Sequence, residues 1–188
     1  FCHTPGLKVV IPSTPEDAAG LFWTAIKGDG PTFFLIPKHI FRKRVEVRSV
    51  EPVPFGKARI VQDGSDVTLV SWGNTLELAD AAAQRLAGEC SIEVIALRTL
   101  VPCDYETVVR SLEKTGRLVV VQEDTRTCGF GQSLISEIVS DPSRFNLLLA
   151  APQLVSRGDV HIGFNPIYEY AALPSVEDVV RAVRMVLE

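Results

Sequence analysis

The chain has 188 residues, 46% of them hydrophobic and 22% charged, with a formal net charge of −4. That is length enough for one ordinary domain and a fragment of a second, and the mildly acidic balance supplies neither a basic stripe for nucleic acid nor a polybasic patch for a membrane. The longest apolar runs, at 118–121 and 147–152, are far too short to span a bilayer.

The first segment reads as strand, helix, strand. Residues 7–11 are a short apolar run closed by Pro12. Thr14 then suits an N-cap, Pro15 the first helical position, and Asp17 the closing position of a capping box. Ala18, Leu21, Phe22, Ala25 and Ile26 recur at helical spacing, and Gly28 is a natural stop. A buried strand is expected over 32–36. This unit is too small to close a core by itself. From Arg42 to Pro54 charges alternate with valines and two prolines close the stretch, which predicts an exposed connector with a domain boundary at 49–55.

The remainder alternates strand and helix. Val67–Ser71 predicts a strand; Gly73, Asn74 and Thr75 turn the chain into a helix whose inner face is Leu76, Ala79, Ala82, Ala83 and Leu86, ending at Gly88. Ile92–Ala96 is the next strand. Asp104 caps a helix burying Val108, Val109 and Leu112 and stopping at Gly116. Residues 118–121 are wholly apolar, as in a strand covered on both faces. Gly129 to Gly131 lead into a helix at 132–139, and another strand is expected around 147–155. The last helix starts at Ser175, with Asp178 closing its box and Val176, Val179, Val183 and Val186 inside. This alternation predicts an α/β, three-layer fold with a mostly parallel sheet.

Four cysteines (Cys2, Cys90, Cys103, Cys128) are scattered, without a C-x-x-C pair, and are read as free thiols in a reducing compartment. The sequence opens with Phe1 rather than Met and shows no signal segment, so an upstream part is expected to be missing.

Candidate chemistry is sparse. His3, His39 and His161 are far apart and form no metal or nucleophile pattern, so each is read as a surface or packing residue. No cysteine has a neighbouring base in sequence that would activate it. Gly129-Phe130-Gly131 lacks the third glycine of a dinucleotide fingerprint, Leu134 standing there, and reads more readily as a close-packed turn than as a phosphate site. Glu123 and Asp124 end a predicted parallel strand, where open sheets build sites; helix capping or an ion pair with Arg126 is the alternative. Gly28 to Pro31 form a C-cap turn whose carbonyls could also face a hard cation.

Several phrases resemble a known family. The run H-T-P-G-L-K-V-V-I-P-S-T-P-E-D-A from His3 is similar to a signature of the beta subunits of thiamine-diphosphate-dependent 2-oxo acid dehydrogenases of the pyruvate and branched-chain type. P-T-F-F-L-I-P-K from Pro31, G-K-A from Gly56, G-S-D-V-T-L-V-S-W-G from Gly64, I-E-V-I-A-L-R-T-L-V-P from Ile92 and K-T-G-R from Lys114 follow in the family's order. Glu123 before the glycine turn, S-E-I from Ser136, A-P at Ala151 and L-P at Leu173 complete a resemblance that covers nearly the whole chain. Individual pieces are shared more loosely with transketolase and deoxyxylulose-phosphate synthase.

The resemblance implies a carboxy-terminal part of such a beta subunit. Residues 1–45 would be a fragment of the pyrimidine-binding α/β domain, 46–55 a linker, and 56–188 the transketolase-type carboxy-terminal domain. The parent enzyme would decarboxylate a 2-oxo acid oxidatively and pass the acyl group to lipoyl groups. Thiamine diphosphate with magnesium would bind largely outside this piece, so no catalytic or cofactor-binding residue is assigned in it. The family's structural potassium ion would fall at Ala25, Ile26, Gly28 and Gly30, with glycines at 28 and 30 where the family usually has Asp and Asn. Ile36 stands where the family places glutamate. Implied partners are an alpha subunit, a second beta subunit and the peripheral subunit-binding domain of the acyltransferase core, with Asp159 and Glu188 as candidate docking residues for that basic domain. Nucleic acid and membrane are not expected as partners, and the implied location is bacterial cytoplasm or mitochondrial matrix. A non-catalytic dimerisation or docking domain, and the tail of a transketolase or deoxyxylulose-phosphate synthase, are the rival readings.

Overall fold

The computed structural model describes residues 1–38, 40–42, 45–46 and 50–188. Of the predicted connector, Lys43, Arg44 and residues 47–49 lie outside the described residues, as does His39. The amino-terminal segment forms β1 (Lys8–Val10), α1 (Pro15–Lys27) and β2 (Thr32–Phe34). Thr14 caps α1 by accepting from the Asp17 N–H at 3.2 Å, with Pro15 just inside the helix. The box itself does not close, because the Asp17 carboxylate turns away to Arg98 and Arg59. A second correction concerns the helix face. Leu21 is fully buried, but Phe22 and Ile26 stand 53% and 63% exposed, so the predicted apolar stripe of α1 is only half covered.

The main sheet holds β3 (Arg59–Gln62), β4 (Val67–Ser71), β5 (Ile92–Ala96), β7 (Leu118–Thr125) and β8 (Gln153–Arg157) in the order β3-β5-β4-β7-β8. All neighbours are parallel except β3, which runs antiparallel along one edge. Strand alternation divides the core in two. Val67, Leu69, Val94, Val119 and Val121 face α2 (Thr75–Leu86) and α7 (Val176–Leu187), while Val70, Ile95, Leu118 and Val120 face α3 (Tyr105–Thr115) and α4 (Phe130–Val139). This is the three-layer, mostly parallel α/β architecture that the sequence predicts. The caps are the expected ones: Asp104 accepts from the Thr107 N–H, Gly116 ends α3 in the left-handed region at φ 65°, and Ser175 and Asp178 make a reciprocal box at α7.

Among the described residues, besides a 3-10 turn at Ile40–Arg42, four strands and helices were not foreseen. One is the edge strand β3; a second is β6 (Thr99–Val101); the others are the short helices α5 (Pro142–Phe145) and α6 (Pro166–Ala172). The strand expected at 147–155 begins only at Gln153, because the leucines at 147–149 fold over the end of α3: the Leu149 N–H donates to the Gly116 carbonyl at 2.7 Å. Similarly α4 begins at Phe130, two residues early.

β6 decides how the amino-terminal segment is attached. A second sheet has the order β2-β1-β6, with β1 parallel to β2 and antiparallel to β6, so a strand from the middle of the chain completes the ladder of the first. The connector also crosses α1 closely: the Val53 N–H donates to the Gly20 carbonyl at 3.1 Å, and a Cβ at Gly20 would stand 2.4 Å from the Glu51 carbonyl oxygen.

Candidate functional site

The carboxyl ends of β4 and β7 face the small sheet across a groove of about 950 Å³. β4 leads into Trp72 and Asn74 through Gly73, whose φ of 57° suits glycine. β7 supplies Gln122, Glu123 and Asp124. The opposite wall is apolar, including Val9, Ile11, Leu35 and Leu100. Trp72 is nearly buried and meets Phe130 edge-on, ring centres 5.6 Å apart, so the floor is aromatic.

Polar groups gather at the strand ends. Asn74 Nδ2 donates to Glu123 Oε2 at 2.7 Å, while Asn74 Oδ1 is buried without a hydrogen-bond partner among the described residues. Arg157 lies 3.8 Å from the Asp124 carboxylate, in the place that the alternative reading gave to Arg126. The glycine turn is committed elsewhere. Gln122 Oε1 accepts from the Gly131 N–H at 2.7 Å, and Gln122 Nε2 donates to the Thr125 carbonyl at 2.7 Å. A Cβ at Gly129 would lie 2.1 Å from Gln122 Nε2, and one at Gly131 2.6 Å from Leu154 Cδ1. These glycines are demanded by close packing, and the Gly131 N–H at the start of α4 is taken by a side chain rather than left free to cradle a phosphate.

Cys2, Cys103 and Tyr105 in the groove are poorly suited to proton transfer. Burial pushes the Cys103 thiol up to about 12, with the Asp104 charge adding to it, and burial also raises the Tyr105 hydroxyl to about 12. Cys2 is likewise raised by burial. His3 and Cys128 reach the rim but make no hydrogen bond that would join either to a nucleophile or base among the described residues. His161 is exposed. Among the described residues no group of three or more His, Cys, Asp or Glu side chains is arranged to hold a metal ion.

The residues singled out from sequence scatter over the molecule. Glu123 and Asp124 do line the groove. Ala25 and Ile26 lie in the last turn of α1, Gly28 caps that helix in extended conformation, and Gly30 follows at φ 88°; none of them lines the groove. The Lys8 ammonium donates to the Asp29 carbonyl in this same turn. Asp159 follows β8 at the carboxyl end of the sheet, where both its oxygens accept from Thr127, its N–H at 3.0 Å and its hydroxyl at 2.5 Å. Those bonds hold the Asp159 carboxyl below its ordinary range. Glu188 ends α7 at the other end of the sheet, next to Val186, whose carbonyl receives Arg117 Nε just before β7 begins. Asp159 and Glu188 therefore do not share a surface. Trp72, Asn74, Gln122 and Phe130 were not singled out; the rule that picked Glu123, taken to the end of the strand over Val67–Ser71, would have reached Trp72 and Asn74.

Residues 56–179 match the family model described as Transketolase, C-terminal domain. Over 188 residues the chain is 40% identical to the pyruvate dehydrogenase E1 component subunit beta of Rickettsia felis, covering 99% of this chain and 57% of that protein. It is 38% identical to the 2-oxoisovalerate dehydrogenase subunit beta 2, mitochondrial, of Arabidopsis thaliana, covering 98% of this chain and 51% of the relative. The chain thus spans about half the length of the curated relatives it matches. A solved structure described as split gene transketolase, inactive beta4 tetramer, superposes with a TM-score of 0.79 at 26% identity, over 98% of this chain and 58% of the other.

Proposed function

The chain belongs to the transketolase C-terminal domain family, and from that premise we propose that it works as part of the beta subunit of a thiamine-diphosphate-dependent 2-oxo acid dehydrogenase. The observation that carries this reading is similarity running unbroken from β1 through α7 to beta subunits of two such enzymes. The transketolase alternative has the same fold at lower identity. Because relatives named for pyruvate and for 2-oxoisovalerate are almost equally similar, the proposal is for the class of 2-oxo acids.

In such an enzyme thiamine diphosphate supplies the carbanion chemistry and the protein orients it. The described residues do not fit the cofactor or its magnesium: the glycine turn that opens α4 spends an N–H on Gln122, and no group of three or more His, Cys, Asp or Glu side chains among them is arranged to hold a metal ion. No step is therefore routed through the cofactor, and the contribution proposed for this chain is assembly. It would hold an alpha subunit, a second beta subunit and the subunit-binding domain of the acyltransferase core, to which the acyl group passes. Asp159 and Glu188 would serve that docking as separate contacts, being at opposite ends of the sheet. The division into 1–45, 46–55 and 56–188 belongs to the same proposal, as does a location in bacterial cytoplasm or mitochondrial matrix. No helix among the described residues is long and apolar enough to cross a membrane.

A potassium ion at the carbonyls around Ala25, Ile26, Gly28 and Gly30 is also proposed. Support comes from Lys8, whose ammonium is already drawn to the Asp29 carbonyl at this helix end. Thermal unfolding in KCl and NaCl of equal ionic strength tests it: a higher midpoint in potassium is expected, and identical midpoints would remove the ion.

The functional reading is tested by co-expressing this chain with an alpha subunit and the remaining portion of a dehydrogenase beta subunit. Thiamine-dependent release of carbon dioxide from a 2-oxo acid, lost when this chain is left out, is the expected result. Ketol transfer between sugar phosphates would favour the transketolase reading. Failure to assemble with the alpha subunit would leave a docking domain.

A further inference from the structure

We propose that the groove at the carboxyl ends of β4 and β7 binds a small organic cation, a flat apolar ring carrying a primary ammonium or an amidinium, with the Glu123 carboxylate as its counter-ion. The site is independent of the dehydrogenase reading, since it takes no part in thiamine chemistry.

Charge decides the class of ligand. Glu123 is half-buried and lines the groove opposite its apolar wall. Among the described residues its side chain is met only by a neutral donor, Asn74 Nδ2, at 2.7 Å. Arg157 is the one lysine or arginine lining the groove, and it is already engaged: it lies beside the Asp124 carboxylate at 3.8 Å and donates to the Val160 carbonyl at 2.6 Å. A carboxylate sheltered from part of its water and given no counter-ion is left short of compensation. A ligand ammonium or amidinium supplies it through a charge-assisted hydrogen bond, roughly twice as strong as a neutral one.

A second observation falls at the same place. Asn74 Oδ1 is buried without a partner among the described residues, which is a standing cost to the fold. The start of α2 does not explain this amide, because Asn74 makes no side-chain capping bond to the helix that follows it. Its nitrogen holds Glu123 and its oxygen is left over. An amidinium carries N–H groups on two nitrogens, so one ligand group can serve both a carboxylate and a neighbouring oxygen.

The rest of the groove suits an apolar body. Its aromatic floor, Trp72 against Phe130, favours a cation and a flat ring alike. Its volume of about 950 Å³ lies within the roughly 300–1,000 Å³ of small-molecule sites. Anions fit badly: the Gly131 N–H is bonded to Gln122, and Glu123 and Asp124 would face a ligand carboxylate with like charge. The concavity lined by Lys57, Arg110 and Lys114 offers no comparable opening, since its charges are met from within. There Lys114 holds the buried Glu93, Arg110 lies 3.7 Å from Glu106, and Asp104 accepts from the Ala58 and Thr107 N–H groups.

Isothermal titration calorimetry of the 188-residue chain with benzamidine at pH 7 tests the proposal, with benzoate and benzyl alcohol as the anionic and neutral counterparts of the same ring. Benzamidine is expected to fill one site with a Kd on the order of 1 mM, as the efficiency of small ligands allows, and both counterparts to bind at least about tenfold more weakly. Glu123→Gln should weaken benzamidine about tenfold or more, the loss of a charge-assisted bond. Asn74→Leu should weaken it as well, while Glu113→Gln, on the exposed side of α3, should leave it unchanged. The Trp72 indole and Gly129 amide resonances should shift in step with saturation. Absence of binding overturns the proposal, as does equal binding of the three ring compounds, or a benzamidine affinity untouched by Glu123→Gln. Binding that vanishes once this chain is assembled with an alpha subunit and the remaining portion of a beta subunit also overturns it, because protein then covers the groove. The comparison of the three compounds needs no variant, so it decides even where a substitution disturbs the fold.

Discussion

Asp17 and Arg98, eighty-one residues apart in sequence, meet with 3.3 Å between Oδ1 and Nη1 in a site that leaves their side chains 6% and 14% exposed. Arg59 approaches the second Asp17 oxygen at 3.3 Å, and Arg98 donates further to the Lys57 and Ala58 carbonyls. One guanidinium thereby joins α1, the strand entering β3 and the loop before β6. Removing one partner of a buried pair costs about 3–5 kcal/mol. With Arg59 left to share the charge, Arg98→Met should cost about 3 kcal/mol, read as a lower urea midpoint. Arg98→Lys, which keeps the charge and loses the fork, should fall between the two. A midpoint unchanged in Arg98→Met would mean that the pair does not hold the segments together.

Gly20→Ala adds a methyl where the connector crosses α1. Alanine favours the helix by about 1 kcal/mol, but its Cβ would meet the Glu51 carbonyl oxygen at 2.4 Å and Val53 Cγ2 at 2.7 Å. Overpacking should win, with a net loss of about 1–3 kcal/mol. Faster hydrogen exchange at the Val53 amide, whose bond to the Gly20 carbonyl is broken, is the local signature. A stabilised variant would refute the close crossing.

Asp104 gives a pH-dependent prediction. Burial raises its pKa, yet bonds from the Ala58 N–H and from the hydroxyl and N–H of Thr107 outweigh that and leave it lowered below 3.8. A depressed folded pKa contributes stability that is present above the unfolded value and lost as pH falls through the folded one. Asp104→Asn should therefore cost about 1 kcal/mol at pH 7, within the range for a weakened cap. The gap between variant and wild type should close as pH drops below 3.8. Guanidinium unfolding at pH 7 and pH 3 reads this out, and a constant gap would rule out a role for the charge.

The thiols differ in reactivity. Cys128 is exposed, whereas Cys103 is raised to about 12 by burial. At pH 8 roughly one Cys103 in ten thousand is thiolate. Iodoacetamide followed by peptide mass analysis should label Cys128 first and Cys103 last; the reverse order would contradict the burial of Cys103.

Much of this architecture was legible where periodicity is strong and partners are close in sequence. The face of α2 was readable because Leu76, Ala79, Ala82, Ala83 and Leu86 keep helical spacing, and all are buried. The Ser175–Asp178 box and the left-handed Gly116 follow from local chemistry alone. β6 left no such trace: three residues cannot show alternation, and its partner β1 lies some ninety residues away. β3 was hidden for a different reason, since an exposed edge strand containing Arg59 and Gln62 reads like connector. The leucines at 147–149 misled because an apolar run says that residues prefer cover, not which backbone supplies it. At the groove, Glu123 was visible from its place at a strand end, while Trp72 and Phe130 become neighbours only through the parallel register of β4 and β7.

The antiparallel pairing of β1 with β6 bears on how the molecule can be cut. A chain shortened to begin at Gly56 keeps every strand of the larger sheet, yet it strips the partner from Thr99–Val101 and opens the apolar side chains of Leu100 and Trp72 to water. Bare backbone donors beside a fresh apolar surface are a template for pairing with other chains. Such a shortened form is expected to precipitate on expression even though its larger sheet is whole, so the first thirty-eight residues act as the cover that keeps the remainder dispersed.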